Sequence, residues 1–152
     1  MSNRHEVRAY NYINRSYADV RRDLLAQPLD VFRRATAHSS GPELHASTGV
    51  IDLSAEIVIE ILGVEEPSPQ RANLNVMWKA SRRPGLFPTM HAKISIYPLT
   101  PTETQLELEG IYDPPMGVLG EVVDAVVLRD VARASVQRFV DDTAAYLRSA
   151  PP

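Results

Sequence analysis

Apolar and polar residues alternate through the middle of the chain. Ala55, Ile57, Ile59 and Ile61 interleave with Glu56, Val58, Glu60 and Leu62, and Leu74, Val76 and Trp78 interleave with Asn73, Asn75, Met77 and Lys79. The same period of two sets Met90, Ala92, Ile94 and Ile96 against His91, Lys93, Ser95 and Tyr97. It also sets Leu106, Leu108 and Tyr112 against Gln105, Glu107 and Glu109. Successive side chains of a strand point to opposite faces, so the pattern predicts strands at 55–64, 72–80, 89–97 and 104–112 in a sheet with one dry and one wet face. Turn-forming residues separate them: Glu65-Glu66-Pro67-Ser68-Pro69, Ser81 to Pro88, and Pro98-Leu99-Thr100-Pro101-Thr102. Connections this short favour an antiparallel meander.

The flanks complete the pattern. His5–Asn14 reads as a first strand, with Val7, Ala9 and Ile13 on one parity and Tyr10 and Tyr12 on the other. Ser16 followed by Asp19 resembles a capping box and starts a helix carrying Val20, Leu24 and Leu25. Pro28 fits the first turn of a second short helix through Arg34, with Leu29, Val31 and Phe32 as its apolar residues. Ser39-Ser40-Gly41-Pro42 breaks the chain, and a less regular strand is expected at about Leu44–Leu53. After Tyr112 the period changes to 3.6, and a long helix is expected to about Arg148. Its second half has a narrow stripe through Leu128, Val131, Ala132, Ser135, Phe139, Thr143 and Leu147. Its first half is apolar over a wider arc: Val118, Leu119, Val122, Val123, Val126 and Val127.

These elements pose a layer problem. A helical rod about 10 Å wide cannot cover a curved sheet of six or seven strands, so the sheet must wrap around the helix and a space between them is expected. Small residues on the dry face, Ala55, Ala72, Ala92 and Gly110, enlarge that space unless Trp78, Tyr112, Met90 and Met116 fill it. A narrow stripe suffices for packing on a sheet. The wide arc of the helix's first half therefore calls for a further partner: a ligand, the two short helices or a second subunit.

The order strand, two short helices, antiparallel strands and long C-terminal helix resembles the helix-grip fold of the START-like (SRPBCC) superfamily. The sharpest local match is Gly110-Ile111-Tyr112-Asp113-Pro114-Pro115-Met116-Gly117-Val118-Leu119-Gly120, which is similar to the strand-to-helix junction of the polyketide cyclase/dehydrase-like branch. Tyr12-Ile13-Asn14-Arg15-Ser16-Tyr17-Ala18-Asp19-Val20 is similar to the entry into that family's first helix, with Ser16 where the family often has proline. The resemblance implies an α+β helix grip in which a curved antiparallel sheet of six or seven strands wraps around the C-terminal helix. It implies one START-like domain over residues 1–152 and leaves the activity open, since this fold hosts carriers, receptors, cyclases and chaperone regulators.

Composition narrows the chemistry. Hydrophobic residues make up 44% and charged residues 23% of the chain, as in a folded globular protein, and the formal net charge is −3. Mild acidity speaks against a nucleic-acid surface and a polybasic lipid anchor. The absence of cysteine excludes disulfides, thiolate catalysis and cysteine-ligated metals. No apolar run reaches the roughly 20 residues that span a bilayer, and none follows the N-terminal residues as in a signal peptide, so a cytoplasmic protein is expected.

Motifs for catalysis are missing. The four histidines, His5, His38, His45 and His91, form no metal-ligand pair by spacing, and no cofactor is expected. Glu56, Glu60, Glu107 and Glu109 have wet-face parity and are expected to pair with Lys79 and Lys93. Neither a G-x-S-x-G elbow nor a phosphate loop occurs. Gly117 and Gly120 are read as relief at a sharp hinge. On the dry face the polar candidates are Trp78 and Tyr112, with Tyr10 or Tyr12 as additions. The expected cavity lies beneath the first half of the helix, lined by Trp78, Met90, Tyr112, Met116, Leu119 and Val123, with Val76 and Ile94 on the sheet. Such a site suits a hydrophobic or aromatic small molecule. A cyclase/aromatase-like enzyme and a protein-interaction module remain as alternatives, and a homodimer stays open.

Overall fold

The sheet forms as the alternation requires. A computed structural model describes residues 5–39, 57–80, 89–112 and 125–150, with side chains throughout except at 37–39, 57–58, 79–80, 125–129 and 131–132. In chain order the elements are β1 (His5–Ile13), α1 (Tyr17–Ala26), α2 (Pro28–Ser39), β2 (Ile57–Ser68), β3 (Arg71–Ala80), β4 (Met90–Thr100), β5 (Glu103–Tyr112) and α3 (Ala125–Ser149). The strands pair antiparallel in the order β1-β5-β4-β3-β2. Five strands are present among the described residues where six or seven were expected. The clear alternation accounts for all five, while the irregular segment 44–53 lies outside the described residues.

Local chemistry sets the element ends. The Ser16 hydroxyl accepts the Asp19 N–H at 3.3 Å and caps α1. Helix α2 runs beyond the expected Arg34 to Ser39. Ala35 is buried, and the Thr36 hydroxyl donates back to the Phe32 carbonyl at 2.8 Å. The hairpins are tighter than their turn residues suggested. β2 continues through Glu65-Glu66-Pro67 and the chain reverses at Pro69-Gln70, with register shifts between Ile61 and Gly63 and between Glu65 and Ser68. β2 has no outer neighbour among the described strands, and an edge strand with bulges tolerates Pro67. β4 likewise runs to Thr100, and the turn is Pro101-Thr102.

One core lies on the dry side, with Ile13, Leu24, Phe32, Leu74, Ile96 and Leu108 among its fully enclosed side chains. The described part of α3 packs on β1 and α2 rather than along the middle of the sheet. A polar seam fixes its C-terminal half. Asp141 accepts from the Asn11 side-chain amide at 3.0 Å and from Gln137 at 2.8 Å, and Gln137 also donates to the Tyr10 carbonyl at 3.2 Å. Arg148 donates to Asn11 Oδ1 at 2.8 Å and to the Tyr12 carbonyl. Arg15 closes the helix end by donating to the Leu147 carbonyl at 2.8 Å while holding Asp23 at 2.7 Å. A cation at the last carbonyls of a helix is favoured both by their unmet hydrogen bonds and by the helix dipole. No described helix is long and apolar enough to cross a membrane.

Candidate functional site

Register stacks the dry face in transverse rows. The first row runs Ile59–Trp78–Met90–Tyr112–His5, from β2 across β3, β4 and β5 to β1. The second runs Ile61–Val76–Ala92–Gly110–Val7, and the third joins Leu74, Ile94, Leu108 and Ala9. Each described strand puts the described apolar residues of its alternation on this one side; Ala55 and the Ile57 side chain lie outside the described part.

The rows are not equally covered. Val76, Met90, Ile94 and Tyr112 are buried, whereas Ile59, Ile61 and Trp78 remain half-buried. Val64, which follows the bulge and pairs with Leu74, is 47% exposed. A partly accessible apolar strip therefore lies along the β2–β3 side of the dry face. Trp78 marks its inner border: its ring meets Phe139 of α3 edge-on, with centroids 5.2 Å apart, and Phe139 leans on Phe32 of α2 at 5.3 Å. Edge-to-face contacts at this distance are favourable aromatic geometry.

Of the expected lining, Trp78, Met90 and Tyr112 come together in one row, with Val76 and Ile94 in the next two. Met116, Leu119 and Val123 lie outside the described residues, as do Gly117 and Gly120. Tyr10 and Tyr12 do not join the dry face. They are 65% and 49% exposed, because β1 turns Val7, Ala9 and Ile13 inward and the tyrosines outward. Two inward groups go beyond the expected lining. Phe139 is legible in the sequence only as part of the helix stripe. His5 shares parity with Val7 and Ala9, which is the available signal, and its ring lies 5.5 Å from that of Tyr112.

The wet face holds the charges. Arg8 donates to Glu109 at 2.6 Å and lies 3.9 Å from Glu107, so Arg8 takes the partner role expected of lysine, with Lys93 opposite Glu109 in the register. The hydrogen bond from Arg8 holds the Glu109 carboxyl below its ordinary pKa; on the helix side of β2, that from Arg21 of α1 does the same for Glu66. Burial pushes the Tyr17 phenol up, and the nearby Glu66 charge adds to the shift. A half-open groove of about 710 Å³ crosses this face between Arg8, Lys93 and Glu109 on one side and His91 and Ile111 on the other. Among the described residues no group of three acidic or histidine side chains could hold a metal ion.

No protein-family model matches the chain, and no curated protein matches it in sequence. Solved structures do share its fold. A hypothetical protein from Helicobacter pylori superposes with a TM-score of 0.56 at 9% identity, over 95% of this chain and 88% of its own. A protein from Thermus thermophilus gives 0.54 at 13% identity, over 97% of this chain and all (100%) of its own. The di-domain ARO/CYC BexL from the BE-7585A biosynthetic pathway gives 0.51 at 15% identity, over 98% of this chain and 51% of BexL. At such identities the likeness is one of fold: the chain has the START-like (SRPBCC) helix-grip fold.

Proposed function

We propose that this helix-grip chain binds a hydrophobic or aromatic small molecule between the dry face of its sheet and its C-terminal helix. The observation that carries this reading is the partly accessible apolar strip of Ile59, Ile61, Val64 and Trp78 on the face that should be wholly enclosed in a filled core. Apolar surface left accessible beside a formed aromatic wall is the usual makeup of a small-molecule site. Met90, Tyr112, Val76 and Ile94 form the sheet side of the proposed cavity. Met116, Leu119 and Val123 are proposed for the opposite side on the strength of their spacing in the sequence.

A cyclase/aromatase-like reaction is the second reading. It would use the same cavity and would need an inward group able to move a proton, and His5 beside Tyr112 is the observation that favours it. Native mass spectrometry of the protein as purified tests the first reading. The expected result is a retained small-molecule mass released on denaturation. Unliganded protein that also takes up no apolar compound from a mixed panel would contradict it. Turnover of an added poly-β-ketone substrate, lost in His5→Phe, would move the reading to the enzyme.

A further inference from the structure

The half-open groove of the wet face is a trench that runs across the strands. Val76, Ala92 and Gly110 of the second dry-face row direct their side of the chain inward, so their main chain floors the trench on the outer side. The wet rows before and after them form its banks. On β2 the register shift between Ile61 and Gly63 brings Leu62 to the trench, where it is exposed. A Cβ built at Gly63, opposite Asn75, would meet nothing within 4 Å. The β2 end is therefore apolar and open. Charge is graded along the trench. Toward β1 lie Glu6 and the mutually neutralising pair of Arg8 and Glu109 at 2.6 Å. On β4, Lys93 and His91 stand on either side of Ala92, roughly 7 Å apart along the strand. Among the described residues, neither makes a side-chain hydrogen bond or a close ion pair. Toward β2 follow Asn75 and then Leu62, two strand spacings or roughly 10 Å from β4.

We propose that this trench is a second binding site, on the face opposite the proposed ligand cavity, and that it takes a small aromatic carboxylate. The carboxylate sits over Ala92 between Lys93 and His91, and the ring lies across Asn75 toward Leu62. Lys93 supplies charge and hydrogen bonds, and the imidazole carries an N–H in either protonation state. The charge gradient fixes the orientation. A carboxylate moved toward β1 would face Glu6 and Glu109, and one moved toward β2 would lie against Leu62 with no donor but Asn75. The distance from β4 to β2 suits one or two fused rings. An extended peptide is the poorer occupant. β3, β4 and β5 each have a strand on both sides, so the floor's N–H and C=O groups are already paired and strand addition has nothing to bind. Both cations are exposed to water, so the site is marked by its preference for the anion rather than by tight binding. The inference stands without the cavity reading, since none of these side chains belongs to the dry face.

Titration of the isotope-labelled full chain with 2-naphthoate and with uncharged 2-naphthamide, followed by amide NMR, tests the site. The expected result is saturable shifts at Gly63, Asn75, His91 and Lys93, with naphthoate binding roughly threefold to tenfold tighter than naphthamide. Lys93→Gln should remove most of that preference and leave naphthamide affinity within about twofold, and Leu62→Asn should weaken both compounds about threefold. Both positions are exposed, and circular dichroism of each variant reports the fold. Shifts at the Trp78 indole and Phe139 with none at Lys93 would place the compounds on the dry face, overturning this inference while supporting the cavity reading. A preference that survives in Lys93→Gln combined with His91→Gln overturns it as well. No shift in the trench with either compound overturns it and leaves the cavity reading standing.

Discussion

Met90 lies folded over Gly110. A Cβ built at Gly110 would meet Met90 Sδ at 2.6 Å, Met90 Cγ at 3.1 Å and Val7 Cγ1 at 3.1 Å. The glycine is thus a recess in the dry face, and a flexible thioether on the neighbouring strand fills it. Its conformational freedom matters less here than its missing side chain.

This contact sets a coupled stability test. Gly110→Ala should destabilise the protein by about 1–3 kcal/mol by crowding Met90, and Met90→Ala by about 2–5 kcal/mol by emptying the recess. The double variant should be at least about 1 kcal/mol better than the sum, because each change relieves the other. Additive losses in urea denaturation would show that the two residues do not share that space.

Arg15 joins three parts of the fold. Its guanidinium serves Asp23 of α1 and the Leu147 carbonyl of α3, and its own carbonyl accepts the Thr104 hydroxyl at 2.9 Å. The Arg15 side chain is 13% exposed, so removing it leaves Asp23 with only the longer 3.3 Å bond from Arg22 among the described residues and leaves a helix-end carbonyl without its donor. Arg15→Met should lower stability by about 2–4 kcal/mol, and Arg15→Lys should recover only part of it, since an ammonium lacks the planar fork. Thermal unfolding checks both. A loss under about 0.5 kcal/mol in Arg15→Met would show that the network is a surface decoration.

Thr143 should behave in the opposite way. Its hydroxyl is buried in the α3 stripe, one turn beyond Phe139, with no hydrogen-bond partner among the described residues. Thr143→Val keeps the shape and removes an unmet polar group, so a stabilisation of about 1 kcal/mol is expected in chemical denaturation. A marked loss would reveal a partner for that hydroxyl.

Two exposed carboxylates, Glu109 on the wet face and Glu66 beside α1, predict an acid limb. A depressed folded pKa means stability that is complete above the unfolded value and is lost as pH falls through the folded one. For Glu109 with Arg8 and Glu66 with Arg21, stability should therefore decline as pH drops through and below the ordinary glutamate value of about 4.3. Both carboxylates are solvent-accessible, so the effect should be small and weakened by salt. Glu66→Gln with Glu109→Gln should flatten the acid limb and leave the neutral plateau nearly unchanged. An unchanged acid limb would assign the loss to other carboxylates.

The legible parts are those with strict periodicity. Parity alone assigns Ile94, Leu108, Val76 and Trp78 to one face, and parity survives into the register because a slip of one residue would turn every one of them outward. Ser16 announces its helix through a local hydrogen bond that needs no tertiary context. The hairpin ends are harder to read. Pro67 and Pro98 suggest loops, but an edge position and a bulge let the strands run through them. Phe139 meeting Trp78 and His5 meeting Tyr112 are contacts between segments distant in the chain. Nothing local encodes them, although the parity of His5 is there to be read.

Whether the dry face encloses a usable space or a filled core is decided most directly at Ala92, a buried small residue between Val76 and Gly110. The measurement pairs urea denaturation of Ala92→Leu with titration of an apolar dye followed through Trp78, the single tryptophan. If a ligand space lies against this row, the larger side chain should fit at a change under about 1 kcal/mol and weaken dye binding by about tenfold or more. A destabilisation of about 2–3 kcal/mol, together with no dye binding to the parent protein, would mean that the face is already packed and would contradict the ligand site.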